Sequence, residues 1–190
     1  MSTRLSTPRV PPLEKENWDE QVQKIFRPMV GAGTVYNIFK TMAHHPDLFR
    51  RWLVFANHVL FKSTVPARER ELVILRIGYL CQANYEWTQH VKIGLDAGMS
   101  KDEVRRIAQG PDAPEWSEQD RLLLKATDEL HADAFVSDAT WQGLGAYYNT
   151  QQLMDIVFAI GQYNLVSMAL NTLGVQLDSE LDTELSLENV

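Results

Sequence analysis

A helix that is apolar on nearly every side has to be covered by the rest of its chain, and the segment after Pro66 encodes such a helix. Leu72, Val73, Leu75, Ile77, Tyr79 and Leu80 wrap most of the way round a helical wheel beginning at Pro66. Proline suits the first helical position because its missing N–H would be unpaired there anyway. Cys81-Gln82-Ala83-Asn84 is a short connection without Gly or Pro, and a second helix follows with Tyr85, Glu86, Trp87, His90, Val91 and Leu95. Gly98 stands where a left-handed cap would stop it, and Ser100 with Glu103 forms the capping box of a third helix. The stretch from Val65 to Ile107 is therefore the expected core.

The flanking segments supply the cover. Residues 1–16 hold three prolines and read as an extended arm, of a kind that lies across a neighbouring subunit. Asn17 is placed to cap a helix reaching Met29, with Trp18, Val22, Ile25 and Phe26 on its apolar side and a break at Gly31-Ala32-Gly33. Val35 to Ala43 is a short helix stopped before His44-His45-Pro46, and a longer one runs from Pro46 to about Lys62. After a Gly- and Pro-containing loop at 110–116, Ser117 and Ser137 cap two more helices, the second carrying Trp141, Leu144, Tyr147 and Tyr148. Thr150 is expected to cap the last and longest, Gln151 to Leu173, which Gly174 ends. Residues 176–190 are acidic without a basic residue, so a mobile tail is expected. No run of β-branched residues alternates with polar ones between turn signals. The expectation is an all-α fold: one multi-helix bundle over 17–175, with an arm before it and a tail after it.

Composition narrows the functions. The 190 residues suffice for one domain with a sizeable core. A net charge of −7 argues against a nucleic-acid surface. There is no run of 18 apolar residues, so no membrane span is expected. The first residues lack the apolar stretch of a signal peptide, which gives a cytoplasmic expectation. A single cysteine, Cys81, excludes an internal disulfide and a CxxC redox pair. There is no P-loop, no GxGxxG and no GxSxG.

The chemistry-bearing residues converge on the two central helices. Glu86 and His90 are four residues apart and share a helix face, where a carboxylate can orient an imidazole and stabilise its charged form. Glu71 lies on the apolar helix and has to find a partner there or shift its pKa upward; Arg68 and Arg70 are near in sequence. Arg68, Arg70 or Arg76 can hold a substrate carboxylate, and Tyr85 and Trp87 flank Glu86 as walls of a site. Trp141, Tyr147 and Tyr163 are further candidate walls. Two carboxylates and one histidine also resemble a metal set, but no second histidine follows at helical spacing, and no metal or cofactor is expected. His44, His45, His58 and His131 read as capping, solvated or packing residues.

The segment RERELVILRIGYLCQANYEWTQHVKIGLDAGMS resembles the core of the carboxymuconolactone decarboxylase and alkylhydroperoxidase D-like superfamily, in which a glutamate-bearing buried helix precedes one carrying a histidine. The closing IVFAIGQYNLVSMALNTLGVQL is similar to the last helix of its cysteine-free members. In the peroxidase branch, two cysteines sit seven and four residues before the histidine. Ala83 and Glu86 occupy those positions here, so a thiol–disulfide cycle has no thiols to run on. In the decarboxylase branch a glutamate sits four residues before the histidine, as Glu86 does before His90. The resemblance implies a trimer or hexamer and a cofactor-free decarboxylation of a carboxylated lactone, within the breakdown of aromatic compounds. The reading is then an acid–base enzyme for a small carboxylated or enolisable compound. His90 moves the proton, Glu86 orients it, Glu71 is a buried second acid or base, and Arg70, Tyr85 and Trp87 bind substrate. Two other readings stay open: a peroxidase-like protein relying on Cys81, and a non-catalytic oligomeric module that binds small molecules.

Overall fold

The computed structural model describes residues 4–31, 33 and 35–190. Among them are nine α-helices and no strand: α1 (Glu20–Gly31), α2 (Asn37–Met42), α3 (Pro46–Phe61), α4 (Ala67–Leu80), α5 (Asn84–Asp96), α6 (Lys101–Gln109), α7 (Glu118–Asp133), α8 (Asp138–Leu144) and α9 (Thr150–Leu173). Ala32, in the expected break, and residues 1–3 of the arm lie outside the described residues.

Helix α4 is the axis, packed against α5, α6, α7 and α9, and Leu72 to Ile77 are all buried. Pro66 sits one step outside it, as the residue before the first turn. Two features let α5 lie close alongside. Gln82 takes a left-handed conformation (φ 51°) in the connecting turn, and Arg4 and Asn171 donate to the Cys81 carbonyl that this turn leaves open (2.8 and 2.9 Å). On α5, Gly94 faces α4; a Cβ there would stand 2.9 Å from Met99 Sδ and 3.3 Å from Leu75 Cδ1. Helix α9 is long and apolar enough to cross a membrane by composition, yet it packs against α3, α4, α5 and α7 as a core helix. Helices α1–α3 have a small core of their own around Val22, Phe26, Ala43 and Phe49, with α3 also leaning on α9.

Ser100, Ser117 and Ser137 cap α6, α7 and α8 as expected, the first with its full capping box. Two caps are displaced. Asp19, not Asn17, accepts from the Val22 amide at 2.8 Å, because Asn17 is used in a 3-10 turn. Asn149, not Thr150, caps α9, reciprocally with Gln152. Helix α8 also ends at Leu144, ahead of Tyr147 and Tyr148.

The two termini differ most from expectation. The arm lies on its own chain: the Arg9 and Val10 amides donate to the Leu173 carbonyl and the Leu13 amide to that of Lys40. Gly174 (φ 73°) ends α9 so closely under the arm that a Cβ would meet Pro8 Cα and the Thr7 carbonyl at 3.1 Å. The acidic tail is folded onto α5 and α2. Leu185 and Asp178 are buried, the Trp87 indole N–H donates to the Leu185 carbonyl at 2.6 Å, and Asp178 accepts from the Asn37 amide at the start of α2. Apolar anchoring outweighs charge repulsion because Leu177, Leu185 and Leu187 alternate with the acids.

Candidate active site

Glu71 is completely buried on α4, and its charge is met from two sides. Arg70 donates through Nε and Nη2 to Oε1 (3.1 and 3.0 Å), and His90 Nδ1 lies 2.6 Å from Oε2. One helical turn before His90 on α5, Glu86 brings Oε1 to within 3.0 Å of Nε2. That approach is ion pairing without hydrogen-bond geometry, and Glu86 Oε1 accepts no hydrogen bond from any described residue. The imidazole is therefore clamped between two carboxylates, with Arg70 as the second cation. Burial works strongly against the imidazolium, but the charges of Glu71 and Glu86 outweigh it, and the pKa of His90 is pushed up to about 10. At neutral pH the ring holds its proton. Tyr163 on α9 packs edge-on against it, ring centroids 4.7 Å apart. Burial, then the two carboxylates, push the Tyr163 phenol well above its ordinary range, so it also stays protonated.

This cluster forms the polar end of a cavity of about 450 Å³. Arg70, Glu86, His90, Gln162 and Tyr163 line that end, while Phe39, Trp52, Leu53, Leu60, Ile93 and Val166 supply apolar walls. Helices α2 and α3 thus roof a floor made by α4, α5 and α9. The Gln162 side-chain oxygen is buried without a hydrogen bond among the described residues.

Of the expected site residues, Glu71, Glu86, His90, Arg70 and Tyr85 come together. Glu71 stands behind His90 and does not line the cavity. Tyr85 lines the wall, but its hydroxyl is engaged, donating to Asp178 at 2.6 Å. Burial, followed by that carboxylate, raises its pKa. Trp87 is not in the site. One residue on from Glu86 it points to the other side of α5, fully buried against Tyr79. Trp141 and Tyr147 are on the surface. Arg68 is spent on Asp120 and Glu103, and Arg76 on Asp128 and the Ile107 carbonyl, which leaves Arg70 as the arginine of the three that borders the cavity. Cys81 lies outside it, half-buried at the end of α4 with its thiol directed to Asn164, and burial raises its pKa. His45 caps α3, His44 meets the Pro11 carbonyl, and His58 pairs with Asp155 on an exposed face. Gln162 was missed by the sequence reading. Its signal was a lone amide inside the apolar run of α9, where a buried polar group needs a use.

The site is thus a buried carboxylate–imidazole–carboxylate cluster opening on a largely apolar cavity inside an all-helical bundle. Residues 46–129 match the carboxymuconolactone decarboxylase family. Among solved structures, the chain is similar to a peroxidase-related protein of Ralstonia eutropha with an alkylhydroperoxidase core (TM-score 0.79, 22% identity, covering 91% of this chain and 93% of that one). It is similar also to a peroxidase-related protein of Silicibacter (0.75, 18%, 94% and 93%). A third likeness is to a debrominase in complex with a tribromopyrrole (0.74, 17%, 93% and 95%). No curated protein sequence matches the chain. The matched segment holds Glu71, Glu86 and His90, and the likeness to these solved structures is one of fold.

Proposed function

We propose that the protein is a cofactor-independent acid–base catalyst that decarboxylates or isomerises a small enolisable compound, a carboxylated lactone or a related ring. The observation that carries this reading is the His90 imidazole held between Glu71 and Glu86 at the floor of the cavity. Relative to the assignment made from sequence, the two carboxylates exchange roles. Glu71, bonded to Nδ1 and closed off from the cavity, fixes the ring and stabilises its charge. Glu86, whose Oε1 accepts no hydrogen bond from a described residue, is the group free to take a proton from carbon or oxygen of a bound molecule. His90, protonated at rest, gives its Nε2 proton to the oxygen on which negative charge develops, and Tyr163 is a second donor on the same side. In an isomerisation Glu86 returns the proton to a different carbon; in a decarboxylation the bond to the carboxylate breaks, CO2 leaves, its electron pair passes into the enol that His90 protonates, and carbon then takes up a proton, so no redox group is needed.

The family match at 46–129 supports catalysis of this kind, since it contains Glu71, Glu86 and His90. The exposed apolar residues Met154, Phe158, Leu165 and Met168, which recur at heptad-like steps along α9, support assembly into a homo-oligomer such as a trimer or hexamer. The test is ultraviolet absorbance of a panel of carboxylated lactones and enolisable rings, run with the protein and with His90→Gln. Turnover by the unmodified protein alone supports the reading. Equal rates with both remove His90 from the mechanism, and absence of turnover across the panel removes the lactone assignment.

A further inference from the structure

The polar end of the cavity holds two buried oxygens that lack a donor, and no unmatched cation. Glu86 is 3% exposed and Gln162 4% exposed. Each presents a buried side-chain oxygen that no described residue hydrogen-bonds, and both residues line the cavity. A buried acceptor left in this state is unfavourable until something donates to it. The cations, by contrast, are already matched. Arg70 spends Nε and Nη2 on one oxygen of Glu71, and His90 is held within 3.0 Å of both carboxylates. The four charges cancel. A ligand carboxylate would bring an unmatched negative charge next to Glu86, against apolar walls that solvate it poorly. A neutral O–H or N–H would instead satisfy the open oxygens and leave the charge balance intact. Trp52, Phe39 and Leu53 give the rest of such a molecule an apolar bed.

We propose that this cavity selects a neutral, mainly apolar ring compound that carries a hydrogen-bond donor, an enol, phenol or ring N–H, seated on Glu86 and Gln162, and that it discriminates against the matching carboxylate. The proposal rests on the reading that this cavity is the working site; of the two reactions proposed above it keeps the isomerisation of an enolisable, donor-bearing ring and drops decarboxylation, whose substrate carries a carboxylate.

The experiment is calorimetric titration of the full chain at neutral pH with three probes of one shape: para-butylphenol, its methyl ether and para-butylbenzoate. The phenol is expected to bind at least about tenfold more tightly than either of the others, the step that one well-made hydrogen bond supplies. Glu86→Gln, which offers an amide in place of the anionic acceptor, should narrow the gap between phenol and ether. Gln162→Leu should narrow it independently, should the first variant fold poorly. Equal binding of phenol and ether overturns the donor proposal and leaves the cavity standing as a binding site. Tightest binding by the benzoate, lost in Arg70→Met, overturns it in favour of anion recognition. If none of the three binds, the proposal falls together with the cavity as the site.

Discussion

Arg70 and Arg76 leave the same helix six residues apart and meet their carboxylates in opposite ways. Arg76 donates to both oxygens of Asp128 (2.6 and 2.9 Å) and to the Ile107 carbonyl at 2.8 Å, under a loop where Gly110 leaves room for it. Its network closes on itself. Arg70 puts two donors on one oxygen of Glu71; the other oxygen holds His90, and the chain of contacts ends at Glu86 Oε1, to which no described residue donates a hydrogen bond. Both are buried charge networks in one core, but only the second stops short of satisfaction, and it stops at a cavity. A closed network rigidifies the bundle. An open one keeps a proton and an acceptor where a ligand can reach them, an arrangement a purely structural network has no reason to keep.

The largest effect that would break this comparison is on turnover. His90→Gln keeps a polar side chain of similar reach but cannot carry an exchangeable proton through two positions. Once a turned-over compound is identified, its rate should fall by about 10²–10⁴, the usual contribution of a positioned acid–base group. Urea unfolding of the same variant should show that folding is retained. A rate within a few-fold of the unmodified protein would put the open network on the same footing as the closed one.

Next is the closed network. Arg76→Met keeps the stem's packing and strands the Ile107 carbonyl and Asp128. Because Asp128 is partly exposed and can be hydrated, the loss is set below that of a fully buried pair, at about 2–3 kcal/mol, or on the order of 5–10 °C in Tm for a chain of this size. Affinity for a cavity ligand should not change. A thermal melt and one titration decide it, and a lost affinity with unchanged Tm would mean that Arg76 serves the site.

A smaller effect distinguishes the networks by pH. The His90 pKa is raised from 6.5 to about 10 in the folded protein, so the folded state holds this proton more tightly than the unfolded chain does. The stabilisation is complete below about pH 6.5 and is lost as pH rises through about 10. The urea midpoint of the unmodified protein should therefore decline across that interval more steeply than that of His90→Gln. A midpoint difference between the two proteins that does not change with pH would show that His90 is neutral in the fold.

Much of this was legible beforehand, for reasons tied to particular residues. The all-round apolar helix after Pro66 forced a burial that no surface arrangement could meet, and Ser100, Ser117 and Ser137 fixed helix starts through local hydroxyl-to-amide bonds. Glu86 and His90 were legible because helical geometry alone brings them together. What failed was mostly non-local. Asp178 caps α2 from 141 residues away, and no local pattern announces that, although the leucines of the tail were a hint that it would dock. Trp87 was misplaced because adjacent residues on a helix diverge by about 100°: the neighbour of a site residue faces away from it. The roles proposed for the two glutamates depended on which one the cavity reaches, and that is set by how α4, α5 and α9 pack together.

The finest distinction is between those two glutamates. Glu71→Gln removes the charge and turns one of the two oxygens that accept from Arg70 and His90 into an NH2 donor facing a cation, in a fully buried place. Stranding both cations should cost about 3 kcal/mol. Glu86→Gln removes a charged group whose Oε1 accepts no hydrogen bond from a described residue, and the relief of its burial offsets the lost attraction to His90. Its change in stability should stay within about 1 kcal/mol, while its effect on ligand preference and turnover is large. Denaturant titrations of the two variants side by side are sufficient. If Glu86→Gln unfolds as easily as Glu71→Gln, the open end of the network is scaffold after all. If it is as stable as the parent but inactive, Glu86 is the group on which the site works.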